Sequence, residues 1–325
     1  MTSSQAPDGT AVSAGLGGIR ARRGRSSWSR LSRASVPYLL LLPIALVIGA
    51  VLVYPTYRLV VLSFQQYGLA ELIQRKGTWV GLANYESVLR DEVFWDALLR
   101  TVIFTVANVG LTIVFGTLIA LLLVRVSMWV RVFLSTGLVL VWSMPAVVAV
   151  QVFYYMTNFE SGVVSYLLSQ VGLVSEQHDW YATTFSKLAM VTVLVTWGAI
   201  PFVAITMYAA LAQVPRELVE AAEIDGASPF RVFWDVTFPI LKPILLILTS
   251  LSIIWDYAVF TQPYLLIGAS QLDQTNYLMG VYVFLEGYAR SDFGRGAAIS
   301  LLMLLSVAAM SVVYVRRMVR AEGAA

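Results

Sequence analysis

EAAEIDGASPFRVFWDVTFP, residues Glu220 to Pro239, is a polar module in a strongly apolar chain. It lies between apolar runs at 188–211 and 240–262. Each run is long enough for a helix to cross a bilayer, which takes about 20 mostly apolar residues. The chain of 325 residues has a mean hydropathy of +0.76 and only 13% charged residues, against about 25% in soluble domains. The module is therefore predicted to connect two membrane helices of a polytopic protein.

The polar module carries the signals of two short helices. Residues 215–239 begin with a proline, which fits the first turn of a helix, and Gly226 stands where a left-handed residue would cap its end. Ser228-Pro229 is typical of a new helix start, and the second helix is expected to stop before Pro239. The range therefore predicts a helix, a sharp glycine turn and a second helix.

Hydropathy predicts an all-α membrane protein with six transmembrane helices. An even number of spans places both termini, and the polar module, on one side of the membrane. Arginine and lysine residues are more numerous on that side, and positive residues concentrate on the cytoplasmic face. Both termini are therefore predicted to be cytoplasmic. The predicted spans are 37–62, 99–124, 130–155, 188–211, 240–262 and 297–315.

The N-terminal residues 1–36 are rich in Arg, Ser, Gly and Ala, a composition that cannot build a core. They are predicted to form a disordered cytoplasmic tail, and nucleic acid binding is the alternative interpretation of the arginines. The apolar run after Pro37 is longer than the roughly 7–15 residues of a signal peptide, so a retained helix is expected. The membrane domain is predicted over 37–317, with a short cytoplasmic tail at 318–325.

The residue counts exclude several classes of site. The chain has no cysteine and one histidine, His178, so neither a thiolate nor a histidine-rich metal site can form. His178 lies in a polar loop, away from any predicted span, which argues against an intramembrane Ser/His enzyme. No catalytic residue, metal or bound cofactor is therefore predicted. An ion-coupled secondary transporter and an assembly scaffold remain as alternatives at this point, although such a transporter would usually carry carboxylates in several spans.

The polar module resembles the EAA motif of permease subunits in binding-protein-dependent ABC importers, which reads E-A-A, three residues, G, nine residues, I-x-L-P. Glu220-Ala221-Ala222, Gly226 and Pro239 fall at the motif's offsets, and Asp225 precedes the glycine. Val236 and Phe238 stand in place of the usual Ile and Leu.

Further stretches resemble the carbohydrate type of these permeases, so that the likeness covers about 37–317. They are YPTYRLVVLSF at 54–64, WVGLANYESVLRDEVFWDALLRTVIFT at 79–105 and DFGRGAAIS at 292–300. One departure is the loop Ile267-Gly268-Ala269-Ser270, where relatives usually read T-x-G-G-P.

The resemblance implies a six-span permease of a bacterial cell membrane that forms half of a translocation pathway for a sugar or oligosaccharide. Another small polar solute is the alternative cargo. It implies four kinds of partner: a second permease subunit, two cytoplasmic ATPase subunits, an extracellular binding protein and membrane lipid, but no nucleic acid. The chain lacks G-x-x-x-x-G-K-[ST], so ATP and Mg are expected on the ATPase subunits.

The resemblance also assigns roles within the module as ATPase-coupling residues. Glu220 is expected to pair with an ATPase arginine, Ala221 and Ala222 to permit close approach, and Gly226 to set the angle between the two helices. The motif positions Asp225 and Pro239 complete this set. The alternative is a solvated loop with two interfacial turns.

A substrate site is predicted in span five, where Asp256 is an ionisable residue within an apolar run. Ser252, Trp255, Asp256 and Val259 are spaced to share one helix face, and they offer polar groups for sugar hydroxyls and an aromatic face for a sugar ring. The alternative is that Asp256 pairs with a neighbouring helix or with the partner subunit.

Similarity to maltose-type permeases supports the same face and adds residues of span four. They are Val195, Gly198, Ala199 and Phe202. Trp142 and Trp197 are expected to serve packing, and Pro145 and Pro201 to kink spans three and four.

Overall fold

The computed structural model describes residues 40–268 and 271–323, and these residues are helical apart from connections and one short ribbon. Residues 40–56 form a separate unit, and residues 57–323 form a second unit that holds the core. The ribbon pairs strand β1 (Gln65–Gln66) antiparallel to β2 (Thr78–Trp79). The predicted tail at 1–36 and the loop residues Ala269 and Ser270 lie outside the described residues.

Thirteen helices follow along the described residues. They are α1 (Leu40–Ser63), α2 (Leu69–Gln74), α3 (Ala83–Leu89), α4 (Glu92–Arg125), α5 (Met128–Trp142), α6 (Ala146–Met156), α7 (Val163–Gln170), α8 (Thr184–Leu211), α9 (Arg216–Ile224), α10 (Pro229–Tyr257), α11 (Thr261–Ile267), α12 (Met279–Phe284, extended by a π-helical turn, Leu285–Ala289) and α13 (Phe293–Gly323).

Five of the described helices, α1, α4, α8, α10 and α13, are long and apolar enough to cross a membrane. The pair α5 and α6 makes a sixth span if the two are counted together, and they meet at an angle of 101°. Five of the six predicted spans are therefore present as single helices, and the third, at 130–155, corresponds to the bent pair. The break falls at Pro145, as predicted, whereas α8 continues through Pro201 from Thr184 to Leu211.

Several helices extend beyond the predicted spans, and a side-chain cap explains the earlier start of α4. Helix α4 begins at Glu92, since the Asp91 side chain accepts a hydrogen bond of 3.0 Å from the Val93 N–H. Helix α13 continues to Gly323, through the described part of the predicted tail.

The expected helix end before Pro239 is wrong. Helix α10 runs unbroken from Pro229 to Tyr257, so the second half of the polar module is the beginning of span five. A π-helical stretch, Phe233–Thr237, explains how the proline is accommodated, because the Phe238 N–H bonds to the Phe233 carbonyl, five residues back. This wider turn moves the carbonyl that a proline ring would otherwise meet in an α-helix.

The core of the second unit centres on α4 and α8. They approach closely at Gly116, where an added Cβ would lie 2.6 Å from the Val203 side chain. A buried hydrogen bond of 3.1 Å joins the Thr196 hydroxyl to the Asn108 side-chain oxygen across the same interface. Helix α10 packs on both α4 and α8, which holds the end of span five against the core.

Candidate coupling module and substrate site

The polar module turns sharply at Gly226, as predicted. The Gly226 N–H bonds to the Glu223 carbonyl and the Ala227 N–H bonds to the Ala222 carbonyl, both at 3.0 Å. This pair of bonds is a Schellman cap, and it requires a left-handed residue at Gly226, whose φ is 81°. The glycine is therefore required by its backbone conformation.

Beyond the glycine, the chain starts a new helix immediately. The Ser228 side chain accepts a hydrogen bond of 3.4 Å from the Arg231 N–H, and Pro229 occupies the first turn of α10. Because α10 is continuous to Tyr257, the residues from Asp225 to Ser228 are the one break between α9 and the C-terminal end of span five. A displacement of α9 would therefore reach the membrane helix through this joint.

The first helix of the module presents both charge and apolar surface. Glu220, Ala221 and Asp225 are exposed, and Ala222 is partly exposed. Ile224, at the end of this helix, is 86% exposed, and Leu218 is 49% exposed. An exposed large apolar side chain beside exposed charges is typical of a surface that a partner covers.

A cavity of about 1140 Å³ lies behind the module, between it and the ends of α4 and α8. Arg131 lies on its wall, where the guanidinium donates to the Leu123 carbonyl at 2.8 Å and the Val126 carbonyl at 3.0 Å. The same guanidinium stacks 5.5 Å from the ring centre of Tyr208 on α8. Arg131 thus caps the end of α4 and ties the α4–α5 turn to α8.

The predicted residues of span five fall into two groups. Trp255 is 49% exposed, whereas the side chains of Ser252 and Asp256 are buried. Val259 is also buried and follows the end of α10 at Tyr257, so it does not share the helix face that its spacing predicted. The Oδ2 atom of Asp256 is buried and has no hydrogen-bond partner among the described residues.

Span four contributes an open surface next to Trp255. Gly198, Ala199 and Phe202 are partly exposed, and a Cβ added to Gly198 would meet no atom within 4 Å. The rings of Phe202 and Trp255 lie 5.3 Å apart. Val195, in contrast, is buried in the core. The structure therefore brings Phe202 and Trp255 together beside free space.

Trp142 also belongs to this surface, although the sequence analysis expected its side chain to serve packing within the protein. Its ring stacks on Phe202 at 5.9 Å with an interplanar angle of 22°, and the residue is 54% exposed. No spacing within one helix could have shown this contact, because Trp142 and Phe202 lie on different helices.

A polar cluster near the start of α13 was not predicted either. Arg295 forms an ion pair with Asp91 and a second one, at 3.4 Å, with Glu286, which also pairs with Arg290. The Tyr282 hydroxyl donates to Asp91 at 2.9 Å. Burial raises the pKa of the Glu286 carboxyl, and the two arginines oppose that rise. The sequence signal that could have indicated this cluster is Arg295, a charged residue within the stretch DFGRGAAIS at the start of the last span.

These features define a polytopic membrane permease with a polar helix–turn–helix module between two spans. The chain belongs to the family described as binding-protein-dependent transport system inner membrane components, which matches residues 112–320. It is therefore a multi-pass permease subunit of an ABC importer, located in the inner membrane, and not the enzymatic subunit.

Individual relatives agree with this family. The diacetylchitobiose uptake system permease protein DasB of Streptomyces coelicolor is 41% identical over 95% of this chain and 92% of its own length. The arabinooligosaccharides transport system permease protein AraP of Halalkalibacterium halodurans is 31% identical over 86% and 87%, respectively.

A solved structure shares the fold. It belongs to a bacterial ABC transporter for import of the acidic polysaccharide alginate, and it aligns with a TM-score of 0.78 at 19% identity, covering 90% of this chain and 98% of that one. Among the residues that the structure describes, no group of three or more His, Cys, Asp and Glu side chains could hold a metal ion.

Proposed function

We propose that this permease subunit carries a sugar or short oligosaccharide across the membrane as one half of a translocation pathway. The observation that carries the proposal is the 41% identity, over 95% of the chain, to a permease named for diacetylchitobiose uptake. A relative named for arabinooligosaccharides points to the same class of cargo. In the proposed assembly, a second permease subunit completes the pathway and an extracellular binding protein delivers the sugar.

The polar module is the proposed docking point for one of two cytoplasmic ATPase subunits, which hold ATP and Mg. Glu220 and Asp225 offer exposed charges, and Ala221 and Ala222 leave room for close approach. Exposed Ile224 adds an apolar contact. This role places the module and both termini in the cytoplasm, in agreement with the distribution of positive residues.

The proposed sugar site is the surface formed by Gly198, Ala199, Phe202 and Trp255. A sugar ring has an apolar face of C–H groups, which an exposed aromatic ring can cover. Free space at Gly198 would admit the ring next to Trp255. Behind this surface stand the three buried members of the proposed site, Ser252, Asp256 and Val259.

The proposed function can be tested with the assembled transporter. The chain is purified with its natural partners, placed in vesicles, and supplied with binding protein and a panel that includes diacetylchitobiose and arabinooligosaccharides. We expect one sugar to stimulate ATP hydrolysis and to accumulate with it. Uptake by the isolated chain in response to an ion gradient would contradict the proposal, as would stimulation by amino acids alone.

Replacing Trp255 by alanine is expected to lower sugar uptake about tenfold, because the substrate would lose an aromatic contact. Ile254→Ala is the matched control, since Ile254 is the preceding residue on α10, is 48% exposed and lies outside the proposed site. Uptake per assembled complex is the measurement. Equal uptake by the two variants would remove Trp255 from the site.

A further inference from the structure

We propose that the cavity behind the polar module binds a phospholipid with a zwitterionic, ammonium-bearing head group, phosphatidylethanolamine. Its acyl chains lie among the apolar side chains of the spans, and its head group lies at the charged rim beside α9. This inference goes beyond the proposed function, since it concerns a bound lipid and not the transported cargo. It is carried by two observations, the depth of the cavity and the charges at its rim.

The cavity is built by this chain alone. Its walls are the second half of α4, the start of α5, the end of α8, the helix α9 and the first half of α10. Val232, Thr237 and Leu245 line it and are buried within the chain. Its volume of about 1140 Å³ exceeds the roughly 300–1,000 Å³ of ordinary small-molecule pockets, so it suits a large ligand.

The depth and the lining of the cavity indicate an acyl chain. Along α4 the lining residues run from Ile113 to Arg125, a length of about 18 Å at 1.5 Å per residue. Inward of Arg125, Thr117 is the one polar side chain that α4 contributes to the lining. One leaflet makes up half of a hydrocarbon core that is about 30 Å thick. The cavity therefore extends through about one leaflet, whereas a soluble ATPase subunit would reach only its rim.

Aromatic side chains place the rim at the membrane surface. Phe230 and Trp234, in the first turns of α10, line the cavity and are 74% and 45% exposed. Tryptophan is enriched at the level of the lipid head groups, where one part of its ring system is apolar and its N–H can meet polar groups. The rim is therefore at the depth where a phospholipid carries its phosphate.

The rim also carries charges of both signs. Arg125, Arg216, Glu220 and Glu223 line the cavity. None of these four side chains has an ion-pair or hydrogen-bond partner among the residues that the structure describes, although Arg216 and Glu220 are four residues apart on α9. Arg131, the other charged residue of the lining, already donates to backbone carbonyls at the end of α4. Two cations and two carboxylates are therefore available at one rim.

This mixture of charges selects the head group. Arginine forms charge-assisted, often bidentate hydrogen bonds with phosphate, a role that suits Arg125 and Arg216. An ethanolamine ammonium, like that of lysine, has three N–H donors for a carboxylate, whereas a choline head group has none. Glu223 accepts from the ammonium, and Glu220 is left for the ATPase subunit. A head group with negative charge alone would be repelled by both carboxylates.

The first test measures bound lipid directly. The assembled importer is purified, mixed with equal amounts of phosphatidylethanolamine, phosphatidylglycerol and phosphatidylcholine, and analysed by native mass spectrometry. We expect phosphatidylethanolamine to be retained about fivefold more than either of the other lipids. A partner subunit that fills the cavity would leave no retained lipid, and this result would overturn the inference. Equal retention of the three lipids, or preference for phosphatidylglycerol, would overturn it as well.

Matched variants assign the retained lipid to this cavity. We expect Arg125→Gln to lower retention of phosphatidylethanolamine about fivefold, because the phosphate loses a cation. Arg231→Gln is the control, since the Arg231 side chain is 74% exposed in the same module but outside the lining. Leu121→Trp, which fills the cavity, is expected to lower retention similarly, whereas Leu122→Trp, at the next residue and outside the lining, is expected to have no effect.

Equal retention by all four variants would overturn the inference, because the lipid would then be bound elsewhere in the assembly. These measurements use no sugar, so their result is independent of the proposed function. A lipid site in this cavity would stand even if the importer carried another solute, and the proposed cargo would stand without the lipid.

Discussion

Gly226→Leu is expected to lower sugar uptake at least tenfold while the ATPase subunits continue to hydrolyse ATP. The reason is the φ of 81° at Gly226, a left-handed conformation that costs an ordinary residue about 1–2 kcal/mol. Relief of that strain would open the Schellman cap and change the direction of α9 relative to α10. Since α10 continues into span five, the joint would then pass less of the ATPase movement to the membrane helices.

The matched control for this prediction is Gly226→Asn. Asparagine tolerates the left-handed conformation better than leucine does. A Cβ at Gly226 would meet no atom within 4 Å, so added volume inside this chain is not the difficulty. We therefore expect Gly226→Asn to keep much of the uptake. The ratio of sugar imported to ATP hydrolysed, measured in vesicles holding the whole assembly, distinguishes the two variants. An unchanged ratio in Gly226→Leu would show that this joint does not couple the subunits.

Arg295→Met is expected to destabilise the folded permease by about 3 kcal/mol or more. Arg295 is the shared partner of Asp91 and Glu286, and Glu286 is only 4% exposed. Removing Arg295 leaves Asp91 without its cation and Glu286 with Arg290 alone, and loss of one member of a buried ion pair costs far more than loss of a surface pair. The change would also loosen the start of α4 from α12 and α13, because Asp91 precedes α4, Glu286 lies in the π-helical extension of α12 and Arg295 lies in α13.

Arg290→Met is the matched control, since Arg290 also pairs with Glu286 but its side chain is 58% exposed. A smaller loss is expected there, because exposed pairs contribute little. Thermal unfolding of each variant in detergent is the measurement, and equal losses would contradict the proposed importance of Arg295.

The pH dependence of the Arg295→Met deficit gives an independent check. Burial already raises the pKa of Glu286, and loss of Arg295 removes a cation that opposes the rise. A carboxyl whose pKa is higher in the folded state contributes stability at low pH and loses it as pH rises through that pKa. The deficit should therefore shrink as pH is lowered from about 8 towards 5, and a constant deficit would argue for lost packing alone.

Much of the architecture follows from local sequence. Long apolar runs predict the spans, because a bilayer requires about 20 apolar residues and an internally hydrogen-bonded helix. Gly226 and Ser228-Pro229 predict the turn of the module, since caps depend on a few neighbouring residues. The helix end expected before Pro239 was wrong because a π-helical stretch at Phe233–Thr237 accommodates the proline, and no local signal indicated that stretch.

The sequence by itself determined the class of protein, the positions of its long apolar helices and the glycine turn of the polar module, because these depend on composition and on spacing within one segment. Only the tertiary structure joined Trp142, Phe202 and Trp255 into one surface, and Asp91 with Arg295 into one ion pair. These residues lie on different helices, and helical periodicity orients each side chain only about its own axis. Which faces meet is decided by packing, such as the close approach of α4 and α8 at Gly116, and that information is spread over the whole chain.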